Sequence, residues 1–122
     1  MELFHRRTLD PLRHGAVLPS RNRGAQQRTI PYVVIIQSAQ FDRYRRRVVV
    51  PLVKHDTLPS GAPLSGTRMN PIFTIEDEDV VLHPLDTVSV AIDQLGERIG
   101  SLAEHGQRIA DAMDELLTRS WG

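Results

Sequence analysis

Residues 32–37, Tyr-Val-Val-Ile-Ile-Gln, and residues 47–53, Arg-Val-Val-Val-Pro-Leu-Val, decide how this chain folds. Both runs are β-branched or aromatic over a strand's length, the composition of a strand buried on both faces. Tyr32, at the head of the first, reads as a core residue. Pro51 has no N–H to give to a ladder, so the second strand should carry it at an edge, a bulge or its end.

Outward from this pair, Pro59, Gly61, Pro63, Gly66 and Pro71 give residues 54–71 loop chemistry. A hairpin follows, with Ile72–Glu76 and Val80–His83 flanking the acidic turn Asp77-Glu78-Asp79. Val88 to Ile92 alternates apolar with small or polar residues and predicts one more strand. The period then changes. Ser101-Leu102-Ala103-Glu104 has the capping-box pattern, in which the serine hydroxyl accepts a free backbone N–H and the glutamate reaches back. Leu102, Ile109, Met113, Leu116 and Leu117 fall on one helical face, and Gln107, Asp111, Asp114 and Glu115 on the other. Gly106 weakens the first turns by about 1 kcal/mol relative to alanine, so packing must hold that helix. Toward the N-terminus, residues 1–29 read as an irregular leader broken by Pro11, Gly15, Pro19 and Gly24, with Ala16-Val17-Leu18 its only short apolar run. Several antiparallel strands followed by one helix predict an α+β, mostly β fold.

The chain has 122 residues, 40% apolar and 25% charged, enough for one modest core. It lacks cysteine, which excludes disulfides, thiolate metal sites and cysteine nucleophiles. No apolar run approaches the roughly 20 residues that span a bilayer, and Met1 to Arg7 lacks the apolar centre of a secretory signal. A soluble, cytoplasmic protein with no membrane partner is expected.

Net charge is zero but unevenly spread. Residues 1–47 hold ten arginines against Glu2, Asp10 and Asp42, leaving +7, whereas residues 76–122 hold eleven acids against Arg98, Arg108 and Arg119, leaving −8. Either the basic half faces phosphate or an acidic partner, or the two halves pair across the folded surface. Arg45-Arg46-Arg47 is open to the same two readings: guanidinium groups gripping phosphates, or a solvated loop whose stems cover apolar surface. His5, His14, His55, His83 and His105 show no metal-ligand spacing, the glycines form no phosphate loop, and Glu76–Asp79 lacks the ligand pattern of a calcium loop. No catalytic residue, metal or cofactor is therefore expected, and no enzyme.

Four stretches carry a resemblance. Ile30-Pro31-Tyr32-Val33-Val34-Ile35-Ile36-Gln37-Ser38, Arg47-Val48-Val49-Val50-Pro51-Leu52, Arg68-Met69-Asn70-Pro71-Ile72-Phe73 and Leu95-Gly96-Glu97-Arg98-Ile99-Gly100-Ser101-Leu102 resemble, in order, segments of the CcdB toxins of toxin–antitoxin systems. The likeness runs from about residue 28 to residue 117. It implies an SH3-like antiparallel barrel with one C-terminal helix over residues 15–122, preceded by an extension of residues 1–14. It also implies a homodimer that lodges in the A subunit of DNA gyrase and traps cleaved DNA, reaching DNA only through gyrase or antitoxin complexes. A CcdA-like antitoxin would remove it, with plasmid maintenance and transcriptional autoregulation as the setting. By the same resemblance, Ser120, Trp121 and Gly122 are the gyrase-binding candidates. Trp121-Gly122 falls about three residues later than the family's terminal Trp-Gly-Ile, and the final isoleucine is absent. Arg43, Arg45, Arg46 and Arg47 are the candidates for holding an acidic antitoxin segment, and Met69, Asn70 and Ile92 for the dimer interface. Two alternatives stay open: an endoribonuclease toxin of the related MazF and Kid barrels, and a CcdB-like protein that no longer poisons gyrase.

Overall fold

The computed structural model describes residues 12–20, 30–41, 43–55 and 66–117. Seven strands run in the order β1 (Ala16–Pro19), β2 (Tyr32–Ile35), β3 (Arg46–Lys54), β4 (Ile72–Ile75), β5 (Glu78–Leu82), β6 (Val88–Ala91) and β7 (Gly100–Ser101). A helix, α1 (Gly106–Leu117), closes the described chain. All pairings are antiparallel, in the spatial order β4-β5-β3-β2-β1-β7, with β6 alongside β3. The result is the nearly closed antiparallel barrel with a C-terminal helix that the sequence predicts.

The strand at Ala16–Pro19 corrects the irregular reading of residues 1–29. Pro19 ends β1 opposite Tyr32, where a missing N–H is tolerated. Gly15, just before it, has φ +88°. Its N–H donates to the Ile35 carbonyl and its own carbonyl accepts from Leu102, each at 2.7 Å.

β3 is the spine of the sheet. It pairs with β2 along Val49–Leu52 on one side. On the other side it pairs with β6 through Arg46–Val49 and with β5 through Leu52–Lys54. Pro51 therefore sits inside the central strand, not at an edge, bulge or end. The Ile36 N–H to Val48 carbonyl bond (3.1 Å) sets the alternation, so that residue 51 turns its backbone groups away from β2. There β6 has left and β5 is only beginning. The Pro51 carbonyl accepts the His83 N–H (3.1 Å). The His83 carbonyl, which finds no donor on proline, accepts the Asp86 N–H (3.1 Å) as the chain turns into a short 3-10 segment, Pro84–Asp86.

The sheet is buried on both faces. Val17, Val34, Val50, Leu52, Phe73, Ile75, Val80 and Leu82 form the barrel core with Leu102, Ile109 and Ala112 of the C-terminal segment. Ala16, Leu18, Ile35 and Val49 form a second cluster, packed by Leu12, Val33, Val90 and Leu95. Adjacent residues feed opposite clusters, which explains why β2 and β3 read as unbroken apolar runs.

Two local expectations shift. The hairpin turn is Glu76-Asp77, with φ of 50° and 64°, so both central residues are left-handed, as a type I′ turn requires, and Glu78 and Asp79 belong to β5. The Ser101 hydroxyl accepts the Ala103 N–H (3.1 Å), but Ser101 ends β7 and Ala103–His105 form a 3-10 turn, so α1 starts only at Gly106. Ile109 and Ala112 seat α1 on the core, and Met113 packs against it, whereas Leu117 is 58% exposed and leaves the predicted apolar face. Arg108 ties the helix to β4, lying 4.5 Å over the Phe73 ring and donating to the Ile72 carbonyl at 2.9 Å.

Candidate functional site

Between β2 and β3 the chain makes a tight basic turn. A 3-10 segment, Ala39–Phe41, leads into Arg43, Tyr44 and Arg45. The turn is fastened from within. The Gln37 amide donates to the Phe41 carbonyl (3.1 Å) and accepts the Val48 N–H (3.2 Å). The Tyr44 N–H donates to the Phe41 carbonyl (3.0 Å), and the Ile92 N–H donates to the Arg45 carbonyl (2.9 Å).

The four arginine candidates divide. Arg47 is only 2% exposed. Its Nε donates to the Leu12 carbonyl (2.9 Å) and one terminal nitrogen to the carbonyls of Tyr44 (2.6 Å) and Arg46 (3.0 Å). It is an internal strut, which corrects its placement among surface contacts: a guanidinium saturated by carbonyls is not offered to a partner. Arg46 lies at the surface with its Nε on the Ser89 hydroxyl and a terminal nitrogen on the Ser89 carbonyl, both at 2.8 Å. Arg43 and Arg45 are exposed and have no ion pair among the described residues. Beside them Phe41 and Tyr44 are 41% and 61% exposed, their ring centroids 5.9 Å apart. This aromatic pair was missed by the sequence reading. The signal was present in Phe41-x-Arg43-Tyr44-Arg45-Arg46, where rings alternate with cations in a loop that has no core to fill.

The expectation that the two charged halves pair takes a different form. Asp111 and Glu115 on α1 are met by Arg68 from the middle of the chain, at 3.8 and 3.5 Å, and Glu78 by Lys54 at 3.1 Å. Tyr32 is half-buried. Its hydroxyl donates to Glu76 (2.9 Å), and burial, followed by that carboxylate, pushes its pKa up from 10.0 to about 12. His55 and Glu76 to Asp79 line an open acidic recess of about 580 Å³, and among the described residues no His, Asp and Glu group is arranged to hold a metal ion.

The dimer candidates are not brought to one place. Asn70 is 4% exposed and serves its own chain: its side-chain amide donates to the Leu82 carbonyl (3.2 Å) at the Leu52 end of β3. Ile92 lies beyond the opposite end, on the Arg45 carbonyl. Met69 and Ile92 are half-buried. Ser120, Trp121 and Gly122 lie outside the described residues.

A known family matches almost the whole of this arrangement: the family described as CcdB protein covers residues 20–119. The chain belongs to the CcdB family. No match was found among curated proteins. The family span takes in β2 to β7 and all of α1, so the barrel, the basic turn and the helix are CcdB features together. A CcdB-type toxin is the class of protein this membership supports. Among the described residues no helix is long and apolar enough to cross a membrane.

Proposed function

We propose that this chain is a toxin that binds the A subunit of DNA gyrase as a homodimer and traps the cleaved DNA complex, acting as a stoichiometric poison rather than a catalyst. The observation that carries the reading is the CcdB match over residues 20–119. Residues 15–122 would form the toxin domain, with residues 1–14 as an extension. Trp121, with Ser120 and Gly122, would make the gyrase contact, since a buried aromatic anchor commonly contributes about 2 kcal/mol or more at an interface. The 58% exposure of Leu117 supports this role, because the apolar face of α1 has already left the core there. A CcdA-like antitoxin with an acidic or mixed-charge segment would fold onto the surface arginines Arg43, Arg45 and Arg46.

The test is a cleavage assay with purified gyrase and supercoiled plasmid, run beside an RNA-cleavage assay. Linear DNA should accumulate with the wild type and not with Trp121→Ala, while the melting temperature of that variant stays within about 2 °C. A variant that melts much lower would instead assign Trp121 to the fold, and RNA cleavage without a gyrase effect would overturn the reading.

A further inference from the structure

The basic turn joins three properties that its place in the fold does not demand: exposed rings, unpaired cations and a rigid backbone. Phe41 and Tyr44 leave 41% and 61% of their surface in water although β2 and β3 on either side are filled with apolar residues. Arg43 and Arg45 flank Tyr44 in sequence and have no ion pair among the described residues. Arg46 is steered by its two bonds to Ser89. The carbonyls of Phe41, Tyr44, Arg45 and Arg46 are each taken by a donor from Gln37, Tyr44, Ile92 or Arg47, so the turn is ordered before any partner arrives. A preordered surface loses little entropy on binding. Asp93, exposed and next to Ile92, is the acidic neighbour that tempers the positive field.

We propose that the turn from Phe41 to Arg46 is a docking surface for single-stranded nucleic acid. Guanidinium forks match phosphate oxygens, and every base offers a flat face to an aromatic ring. The two rings, tilted by 44°, present separate faces instead of one continuous stack. An acidic peptide would satisfy the arginines but leave both rings without a flat partner, and a closed duplex hides its base faces from them. The contact involves the toxin alone and stands apart from the gyrase reading, since neither Phe41 nor Tyr44 belongs to the proposed gyrase contact.

Fluorescence anisotropy of the full chain with labelled 20-nucleotide DNA and RNA strands of one sequence tests this without gyrase. Binding should weaken roughly sevenfold between 50 and 200 mM salt, as expected for about two neutralised phosphates on a single strand. Phe41→Ala with Tyr44→Ala should weaken it about tenfold or more at unchanged melting temperature, in line with the loss of base stacking. Arg43→Ser with Arg45→Ser should also weaken it and flatten the salt dependence. Preference for DNA or RNA identifies the strand, and either supports the proposal. Absence of binding at 50 mM salt overturns it. So does equal affinity of the aromatic variant and the wild type, or displacement of the strand by polyglutamate at equal charge, which would assign the turn to an acidic protein surface.

Discussion

Gly15 stands so close to Ala103 that a Cβ placed on it would lie 2.8 Å from the Ala103 nitrogen and 2.9 Å from its Cα. The start of β1 and the entry to the C-terminal helix thus meet backbone to backbone. Gly15→Ala should cost about 3 kcal/mol, combining a left-handed backbone with overpacking against atoms that cannot rotate away. Gly66 has a similar φ of +82°, but its nearest neighbour is the Ile72 Cδ1 at 3.8 Å. Gly66→Ala should cost only about 1 kcal/mol. Urea unfolding of the two variants would check the difference, and equal costs would remove the close approach as the cause.

Arg47 and Arg45 make a second matched pair. Arg47→Met removes the donor shared by Leu12, Tyr44 and Arg46, and should destabilise the chain by about 3 kcal/mol. Arg45→Met, at an exposed site, should stay within about 0.5 kcal/mol of the wild type. Thermal melts read both, and a silent Arg47 variant would return that residue to the surface.

At the hairpin tip, Asp77 carries φ of 64° with a side chain that disfavours it. Asp77→Gly should raise the unfolding midpoint by a gain of about 0.5 kcal/mol, the relief of backbone strain less the added freedom of the unfolded chain. Glu76 is left in place because it accepts the Tyr32 hydroxyl.

That hydrogen bond makes stability fall in alkali. The folded pKa of Tyr32 is raised from 10.0 to about 12, so the neutral phenol is the form the fold favours. Its contribution is complete below pH 10.0, declines as the unfolded chain sheds the proton first, and is gone above about pH 12. Tyr32→Phe should flatten the stability profile across that window and remove the late step from ultraviolet phenolate titration. A wild-type profile equally flat would refute the assignment.

The barrel was legible where composition is unambiguous. β2 and β3 are buried on both faces, so their β-branched runs declare themselves, and the amphipathic period of α1 places Ile109 and Met113 correctly. What stayed hidden depended on partners distant in sequence. β1 is four residues beside a proline, and only its pairing with β2 and β7 makes it a strand. Arg47 looks like its neighbours in an arginine triplet, and its burial follows from Leu12 and Tyr44 arriving within reach. Asn70 has the polarity of a surface residue but closes a loop onto Leu82. The gyrase candidates at residues 120–122 lie outside the described residues, so their reading rests on the family likeness.

Pro51 also acts as an address on the spine of the sheet. β5 and β6 both dock on the same side of β3, and both could in principle slide along it in steps of two residues without exposing their apolar faces. A strand that slid across residue 51 would meet a position with no hydrogen to donate and would strand its own carbonyl. The proline therefore divides β3 into two berths and keeps each arriving arm in its own. A valine there would complete the apolar run and erase the boundary, trading one defined pairing for a sliding choice.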